Sequence, residues 1–298
     1  MSGFPATIHV AGRDGSGALE AKRAKLHAIL SGMGRTLVAY SGGVDSAALL
    51  VEAWAVLGDR AVGVIARSPS LPVAELELAL RTAGNAGVPV RVVETRELDR
   101  PRYRANTGDR CYHCKAELFE RLSEIAAGEG FESLAYGAVT DDLGEVRPGM
   151  AAASAFRVRA PLIEAGLSKV EVRLLARGRG LPVWDKPQSA CLASRIPVGS
   201  EVTAAKLRQV EEAEAWIRGA FGTRVLRVRH VGDTARIEVA PEEVPLMKSA
   251  TSLARLENGL QAFGFMRVEV DPRGYVRPDP IPVVSDTVDR EGHDGDRG

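Results

Sequence analysis

The sequence has little of several features that would assign it to a particular class of protein. It contains only three cysteines in 298 residues, too few for a disulfide framework, so we expect a cytoplasmic protein whose thiols stay reduced. Its 39 lysines and arginines balance its 39 aspartates and glutamates, which argues against a nucleic-acid partner because such proteins carry excess positive charge. No apolar run is long enough to span a bilayer, and the first residues lack the basic and apolar regions of a signal peptide. We therefore expect no membrane partner.

The rest of the composition is that of a globular protein, with 45% apolar and 26% charged residues. Apolar runs that alternate with helical patterns predict four strands, at 37–40, 61–66, 90–94 and 133–137. Strands and helices in this alternation predict an α/β fold, with a parallel sheet and helices on both of its faces. Pro182 and Pro187 predict an extended segment at 181–187.

The pattern changes after about residue 199 and predicts a small α+β domain. Its predicted elements are a helix capped by Thr203 and running to 217, strands at 225–231 and 234–239, a helix at 242–263 and a strand at 266–270. The predicted divisions are a flexible leader (1–17), a nucleotide-binding domain (18–198), a small domain for substrate binding or oligomerisation (199–282) and a disordered tail (283–298).

The most informative stretch is S-G-G-V-D-S at residues 41–46, between the first predicted strand and a helix. Gly42 and Gly43 allow the backbone to approach a ligand closely, and the helix directs free N–H groups and the positive end of its dipole towards the turn. Ser41 and Ser46 add hydroxyl groups, and Asp45 adds a carboxylate that could hold Mg²⁺ bridged to phosphate. An ordinary strand-to-helix turn is the alternative, but here each position has a phosphate-binding or metal-binding task.

This string resembles the PP-loop of the ATP pyrophosphatases. It lacks the lysine with which the Walker loop holds phosphates. The resemblance implies that ATP is split between its α and β phosphates, so that pyrophosphate sits in the loop and AMP is attached to a substrate oxygen. It therefore implies activation of a substrate by adenylation.

The cysteines form a second signal. Cys111 and Cys114 are spaced C-x-x-C at the start of a predicted helix, and Cys191 follows 77 residues after Cys114. Three thiolates can hold three irons of a 4Fe-4S cluster and leave the fourth iron open to carry a sulfide. The alternatives are a thiol pair without metal, half of a zinc site completed by His113, or three buried cysteines that act as small apolar residues.

Three arginines form a third signal. Arg195 lies four residues after Cys191, while Arg227 and Arg229 alternate along one predicted strand and so share a face. Guanidinium groups bind phosphate and carboxylate with two hydrogen bonds at once, so these arginines are candidates for holding an anionic substrate. Solvent-exposed arginines on a strand would give the same pattern.

Together these motifs resemble the LarE family of ATP-dependent sacrificial sulfur transferases, which act in biosynthesis of the nickel-pincer nucleotide cofactor of lactate racemase. The matching blocks are S-G-G-V-D-S (41–46), N-T-G-D-R-C-Y-H-C-K (106–115), T-D-D-L-G-E-V-R-P-G (140–149), W-D-K-P-Q-S-A-C-L-A-S-R-I-P (184–197), L-R-V-R-H (226–230) and A-R-I-E-V (235–239). Val139 and the stretch 274–278 depart from the family pattern.

The resemblance implies a substrate, pyridinium-3,5-biscarboxylic acid mononucleotide, whose carboxylates are adenylated and converted to thiocarboxylates. It places ATP, pyrophosphate and Mg²⁺ at the 41–46 loop, the transferred sulfur at Cys191, and the substrate phosphate at Arg195, Arg227 and Arg229. Family members with one cysteine give up its sulfur and keep dehydroalanine, whereas those with the C-x-x-C carry expendable sulfide on a 4Fe-4S cluster. The chain has the C-x-x-C, so Cys111, Cys114 and Cys191 are the expected cluster ligands. A sulfide source or sulfur-donor protein and a homo-oligomeric assembly are further expectations.

Other functions would use part of the same pattern. A cluster-dependent tRNA thiolase would share the loop and the cysteines, but the balanced charge speaks against it. An amide-forming synthetase that takes ammonia would need the loop and none of the cysteines. A nucleotide-binding module without activity would bind ATP and release no pyrophosphate.

Overall fold

The structure is a computed structural model that describes residues 14–144, 148–187 and 190–275. Residues 1–13 of the predicted leader and the whole predicted tail lie outside these ranges. The first helix begins at Asp14, so residues 14–17 belong to a helix and not to the leader in which the prediction placed them.

A four-stranded parallel sheet forms the centre of the larger part of the molecule. Its strands are β1 (Thr36–Ala39), β2 (Ala61–Arg67), β3 (Val90–Glu94) and β4 (Ser133–Tyr136), in the order β3-β2-β1-β4. Each of the four predicted strands is confirmed. Apolar residues on both sides of β1 are buried, with Leu37 and Val38 both fully inaccessible, as expected for a parallel strand covered on two faces.

Helices cover both faces of this sheet. They are α1 (Asp14–Ser31), α2 (Val44–Leu57), α3 (Val73–Asn85), α4 (Pro101–Ala105), α5 (Arg110–Glu129), α6 (Pro148–Ala155), α7 (Pro161–Glu164) and α8 (Lys169–Gly178). Side chains of α1, α2, α3 and α8 join Val38 in one apolar core. Side chains of α5 and α6 join Leu37 in a second core on the opposite face. The predicted α/β fold class is thereby confirmed.

The smaller α+β unit contains α9 (Ala204–Phe221), β5 (Leu226–Val231), β6 (Thr234–Val239), α10 (Val244–Met247), α11 (Ala250–Gln261) and β7 (Arg267–Val270). The strand order is β5-β6-β7, with β5 antiparallel and β7 parallel to β6. The predicted cap of α9 is confirmed, because Thr203 Oγ1 accepts a hydrogen bond of 3.3 Å from the Lys206 backbone N–H.

Two predictions of local structure are wrong. The single helix predicted at 242–263 is two helices, since Ser249 caps α11 by accepting a hydrogen bond from Ser252 N–H, and such a cap starts a new helix. The segment 181–187 is a run of turns and not extended, with hydrogen bonds from Trp184 N to Leu181 O and from Lys186 N to Val183 O. Pro182 occupies the second position of the first turn, which its fixed φ suits. In the part of the chain that the structure describes, no helix combines the length and apolar character needed to cross a bilayer.

Candidate active site

The 41–46 loop connects β1 to α2 and is shaped by its two glycines. Gly42 adopts a φ of +73°, and a Cβ atom built there would lie 2.6 Å from the Cβ of Ala79 on α3. Gly43 is the N-cap residue of α2, and since it has no side chain, no side-chain hydrogen bond caps this helix. At the neighbouring end of β4, a Cβ on Gly137 would lie 2.6 Å from the Ser46 backbone nitrogen. The three glycines therefore leave space for a compact turn at the N-terminus of α2.

The two serine hydroxyl groups hold this turn together. Ser46 Oγ donates to the Gly43 carbonyl at 3.1 Å and accepts from the Ser41 backbone N–H at 3.1 Å. The Ser41 and Ser46 hydroxyl oxygens lie 3.0 Å apart. Ser46 is buried and Ser41 is exposed, so Ser41 is the hydroxyl that remains open to an incoming phosphate.

Asp45 has one oxygen occupied and one without a partner. Lys169, the first residue of α8, places its Nζ 2.5 Å from Asp45 Oδ2. Asp45 Oδ1 is buried and makes no hydrogen bond. Burial raises the pKa of Asp45, and the Lys169 ammonium offsets only part of this rise.

The unpartnered carboxylate oxygen fits the Mg²⁺ that the sequence predicts. Mg²⁺ is bound through one or two carboxylates, with phosphate and water oxygens completing its octahedral shell. Asp45 Oδ1 is a hard oxygen donor beside a turn suited to phosphate. No other ligand from the protein is required by this chemistry.

The segment that carries Cys191 is fixed to the same edge of the sheet as the 41–46 loop. The Leu192 N–H donates to the Ser70 carbonyl at 2.8 Å, and Ser70 follows the carboxyl end of β2. The 41–46 loop follows the carboxyl end of β1, which is the neighbouring parallel strand. In open α/β sheets this edge is where ligands bind.

α5 holds the other side of this segment. Arg110, the first residue of α5, donates from Nη1 to the Ala193 carbonyl at 2.8 Å. Asn106 donates to the carbonyls of Ile196 and Pro197 at 3.3 and 2.8 Å. The start of the C-x-x-C helix and the Cys191 segment are therefore one hydrogen-bonded unit.

Cys114 is close enough to Cys111 and Cys191 for their charges to act on it, but the three thiols have different environments. Cys111 is exposed. Cys114 and Cys191 are half-buried, and both pack against a group of buried apolar side chains that includes Tyr103 and Leu192. Burial raises the pKa of Cys114 to about 12, and the charges of Glu97 and Cys191 add to the rise, so this thiol is protonated at neutral pH.

The thiols supply the right donor chemistry for an iron–sulfur cluster. Within the described residues, however, no group of three histidine, cysteine, aspartate or glutamate side chains is arranged to hold a metal ion. Side-chain rearrangement would be needed before all three sulfurs could bind one cluster. The cluster stays a prediction.

Arg195 is a buried structural centre of the Cys191 segment. Its side chain is 2% exposed and pairs with Glu214 of α9, with Nε 2.9 Å from Oε1. Its Nη1 donates to the carbonyls of Ala190 and Cys191 at 2.6 and 2.9 Å. Burial opposes ionisation of Glu214, but the hydrogen bond and charge of Arg195, the charge of Arg218 and the hydrogen bond from the Val228 N–H together outweigh burial. They hold the pKa of Glu214 below its usual range.

The other two predicted arginines differ in how far they are engaged. Arg229 donates to Glu238 at 2.9 and 2.8 Å and to the Ser194 carbonyl at 2.8 Å. Arg227 lies against Tyr275, with Cζ 5.1 Å from the ring centroid, and among the described residues no carboxylate is within ion-pair distance of it. Burial lowers the pKa of Arg227, and the charge of Arg195 lowers it further. Of the three predicted anion ligands, Arg227 is therefore the one that pairs with no carboxylate among the described residues.

A cavity of about 380 Å³ opens beside these residues. Five arginines line it together with Glu238, Asp271 and apolar residues of the 194–198 segment; the arginines are Arg110, Arg195, Arg229, Arg236 and Arg273. Guanidinium groups from five separate parts of the chain therefore meet at one opening, which suits an anionic ligand.

Sequence reasoning missed Lys169, Glu214 and Ser70. The capping box of Ser168 and Glu171 could have indicated that Lys169 begins a helix. Nothing in the sequence indicates its contact with Asp45, which lies 124 residues earlier. Glu214 had only the pattern of a buried position in an amphipathic helix.

Comparison with known proteins gives relatives over most of the chain. An uncharacterized protein of Synechocystis sp. is 42% identical over 257 residues, covering 86% of this chain and 96% of the relative. The pyridinium-3,5-bisthiocarboxylic acid mononucleotide synthase of Lactiplantibacillus plantarum is 34% identical over 258 residues, covering 86% and 92%. An uncharacterized protein of Methanocaldococcus jannaschii is 24% identical over 241 residues, covering 81% and 90%. No protein-family model matches the chain.

Proposed function

The chain belongs to the LarE family, that of the pyridinium-3,5-bisthiocarboxylic acid mononucleotide synthase, and on this premise we propose that it is an ATP-dependent sulfur transferase. Its proposed substrate is pyridinium-3,5-biscarboxylic acid mononucleotide, each carboxylate of which it adenylates and converts to a thiocarboxylate. The product would serve biosynthesis of the nickel-pincer nucleotide cofactor of lactate racemase.

The first step activates a poor electrophile. A carboxylate resists attack by sulfur because hydroxide or oxide is a bad leaving group. In the proposed reaction a carboxylate oxygen of the substrate attacks the α-phosphorus of ATP, the bond to the bridging oxygen breaks, and pyrophosphate leaves. The 41–46 loop is the proposed pyrophosphate site, with Ser41 exposed, Gly42 and Gly43 allowing close approach, and Asp45 Oδ1 available to Mg²⁺. Mg²⁺ would neutralise charge that develops on the phosphate oxygens.

The second step transfers sulfur. The Cys191 thiolate attacks the activated carbonyl carbon, and AMP leaves with the electron pair of the broken C–O bond. Loss of the Cα proton of Cys191 and cleavage of its Cβ–S bond then releases the thiocarboxylate and leaves dehydroalanine. A cluster held by Cys111, Cys114 and Cys191 would instead supply an expendable sulfide and spare the cysteine.

The arginines would hold the anionic substrate in reach of both steps. Arg229 and Arg195 line the 380 Å³ cavity, and Arg227 lies on the same face of β5 as Arg229. In the structure Arg195 acts on the Cys191 segment by holding two of its carbonyl groups, so we assign it the positioning of Cys191 as well.

One observation carries this proposal. The Leu192 N–H to Ser70 carbonyl hydrogen bond attaches the Cys191 segment to the carboxyl edge of the sheet, beside the loop proposed for ATP. An activated carboxylate formed there would meet sulfur at short range, before water could hydrolyse it.

Pyrophosphate release tests the activation step. Wild-type protein with ATP, Mg²⁺ and the biscarboxylate nucleotide should release pyrophosphate, and Asp45→Ala should abolish the release while the circular-dichroism spectrum stays unchanged. Cys191→Ala should still release pyrophosphate, because adenylation precedes sulfur transfer. Full pyrophosphate release by Asp45→Ala would refute the metal assignment. Full thiocarboxylate formation by Cys191→Ala would refute Cys191 as the sulfur-bearing residue, and formation of an amide from ammonia would favour the amide-forming synthetase.

A further inference from the structure

Lys169 lies outside the sequence motifs, and its ammonium group forms an ion pair with Asp45, the carboxylate proposed to bind the metal. Its Nζ is 2.5 Å from Asp45 Oδ2, while Asp45 Oδ1 has no partner. A lysine ammonium and a divalent cation on the same carboxylate repel each other strongly at such a distance. This repulsion favours departure of the Lys169 ammonium when Asp45 binds a metal.

The side chain of Lys169 is free to move although its backbone is not. The backbone N–H donates to Asp141 Oδ2 at 2.8 Å, and the capping box of Ser168 and Glu171 fixes the first turn of α8. The side chain is 29% exposed, and it ends a flexible four-carbon stem with three donors. The ammonium can change partners while α8 stays in place.

We propose that Lys169 is a switching ligand of the nucleotide site: it pairs with Asp45 in the empty protein, and it transfers to the phosphates of ATP when Mg²⁺ takes Asp45. This proposal rests on the proposed nucleotide site and adds a residue and an order of events to it. The 41–46 loop carries no lysine of its own, so Lys169 would supply from α8 the positive charge that such a loop lacks.

The switch has a consequence that a purely structural ion pair does not share. Removing the ammonium frees Asp45 for a metal alone, so binding of a bare metal ion should become tighter. The same change removes a phosphate ligand, so binding of the metal–nucleotide complex should become weaker. A structural role would weaken both, since loss of the pair would disturb Asp45.

The test uses Mn²⁺ as the metal probe, followed by electron paramagnetic resonance, with Mn²⁺–ATP binding followed by calorimetry. Lys169→Met should bind Mn²⁺ alone about tenfold more tightly and Mn²⁺–ATP about tenfold more weakly than wild type. Lys22→Met is the matched control, because Lys22 pairs with Glu171 of the same helix at 2.7 Å without touching Asp45, and it should leave both affinities unchanged.

A second pair of variants covers the case in which Lys169→Met does not fold, since that change leaves the Asp45 carboxylate without its partner. Asp45→Asn and Asp45→Asn/Lys169→Met both remove the need for a counter-charge. In this background the lysine is released, so metal-free pyrophosphate should bind Asp45→Asn about tenfold more tightly than the double variant.

The outcomes are distinguishable. Weaker binding of both Mn²⁺ and Mn²⁺–ATP by Lys169→Met, unchanged affinities, or equal pyrophosphate affinity in the two asparagine variants would each overturn the switch while leaving the proposed nucleotide site intact. Absence of Mn²⁺–ATP binding by the wild-type protein would overturn the proposed function and the switch with it.

Discussion

Replacement of Glu214 tests how the Cys191 segment is held in place. Glu214 lies on α9 of the smaller unit, and its carboxylate accepts hydrogen bonds from Arg195, from Arg218 and from the Val228 backbone N–H. Arg195 in turn holds the carbonyls of Ala190 and Cys191. Glu214→Ala would leave the Arg195 guanidinium buried, with only carbonyl and hydroxyl partners.

The expected cost follows from the burial of the pair. The side chains of Arg195 and Glu214 are 2% and 3% exposed, so water cannot replace the lost partner without local opening. Breaking a buried pair from one side costs about 3–5 kcal/mol. In a protein of this size that corresponds to a fall of roughly 10 °C in the melting temperature. The fall in melting temperature should be largest at neutral pH. Because the folded state lowers the pKa of Glu214, its ionised carboxylate stabilises the fold above the unfolded-state pKa, and this stabilisation is lost as the pH drops through the folded-state pKa.

The assay combines stability with two partial reactions. Glu214→Ala should lower the free energy of unfolding as stated, retain pyrophosphate release and lose thiocarboxylate formation, because the loop and the Cys191 segment are supported separately. Glu212→Ala, an exposed position on the same helix, should change none of these. Equal loss of both partial reactions, or a destabilisation no larger than that of Glu212→Ala, would refute the reasoning.

Three further predictions concern the loop, a second buried carboxylate and the thiols. Gly42→Ala should lower the free energy of unfolding in urea by about 1–2 kcal/mol or more, because it strains a positive φ and brings a Cβ against Ala79. Gly43 has a φ of −79°, so Gly43→Ala should change this free energy by less than about 0.5 kcal/mol. Similar values for the two variants would count against the loop geometry. Burial opposes ionisation of Glu52, yet hydrogen bonds from Arg179 and His27 lower its pKa to about 2, so about 3 kcal/mol of stability should disappear between pH 5 and pH 2; a Glu52→Gln variant that loses as much stability over that range as wild type would contradict this. Anaerobic reconstitution with iron and sulfide should give the broad visible absorption of a cluster that needs all three thiols, and a featureless spectrum would favour sulfur from the cysteine itself.

Much of the fold could be predicted because its signals are local. Residues 37–40 and 61–66 are continuous apolar runs, as a strand buried on both faces requires, and both are strands. The C-x-x-C was predicted at the start of a helix, and α5 begins at Arg110. The alternation of Arg227 and Arg229 predicted a shared face, which the burial pattern of β5 confirms.

The two wrong predictions of local structure concern segments in which the same residue type is compatible with two different structures. Pro182 favours an extended chain by one sequence rule, but a proline suits the second position of a turn equally well. Ser249 stands in the middle of a helical pattern, and its capping hydrogen bond divides that pattern into two helices.

The site could be predicted only as a set of residue types. Asp45 was identified from its motif, but its partner lies 124 residues away, and sequence spacing contains no information about that contact. The charge of Arg195 predicts an anionic ligand, and this stays a prediction. Its ion pair with Glu214 could not be predicted, because the apolar pattern of α9 does not indicate a buried carboxylate.

The central claim is that an activated carboxylate meets sulfur at Cys191, and mass spectrometry of a single turnover tests it most directly. Wild-type protein, ATP, Mg²⁺ and the biscarboxylate nucleotide should yield a product in which sulfur has replaced a carboxylate oxygen. The protein should either have lost one sulfur at Cys191 or remain intact if a cluster supplied it. Cys191→Ala should release AMP and pyrophosphate without forming any thiocarboxylate. Formation of thiocarboxylate by Cys191→Ala at the wild-type yield would contradict the account.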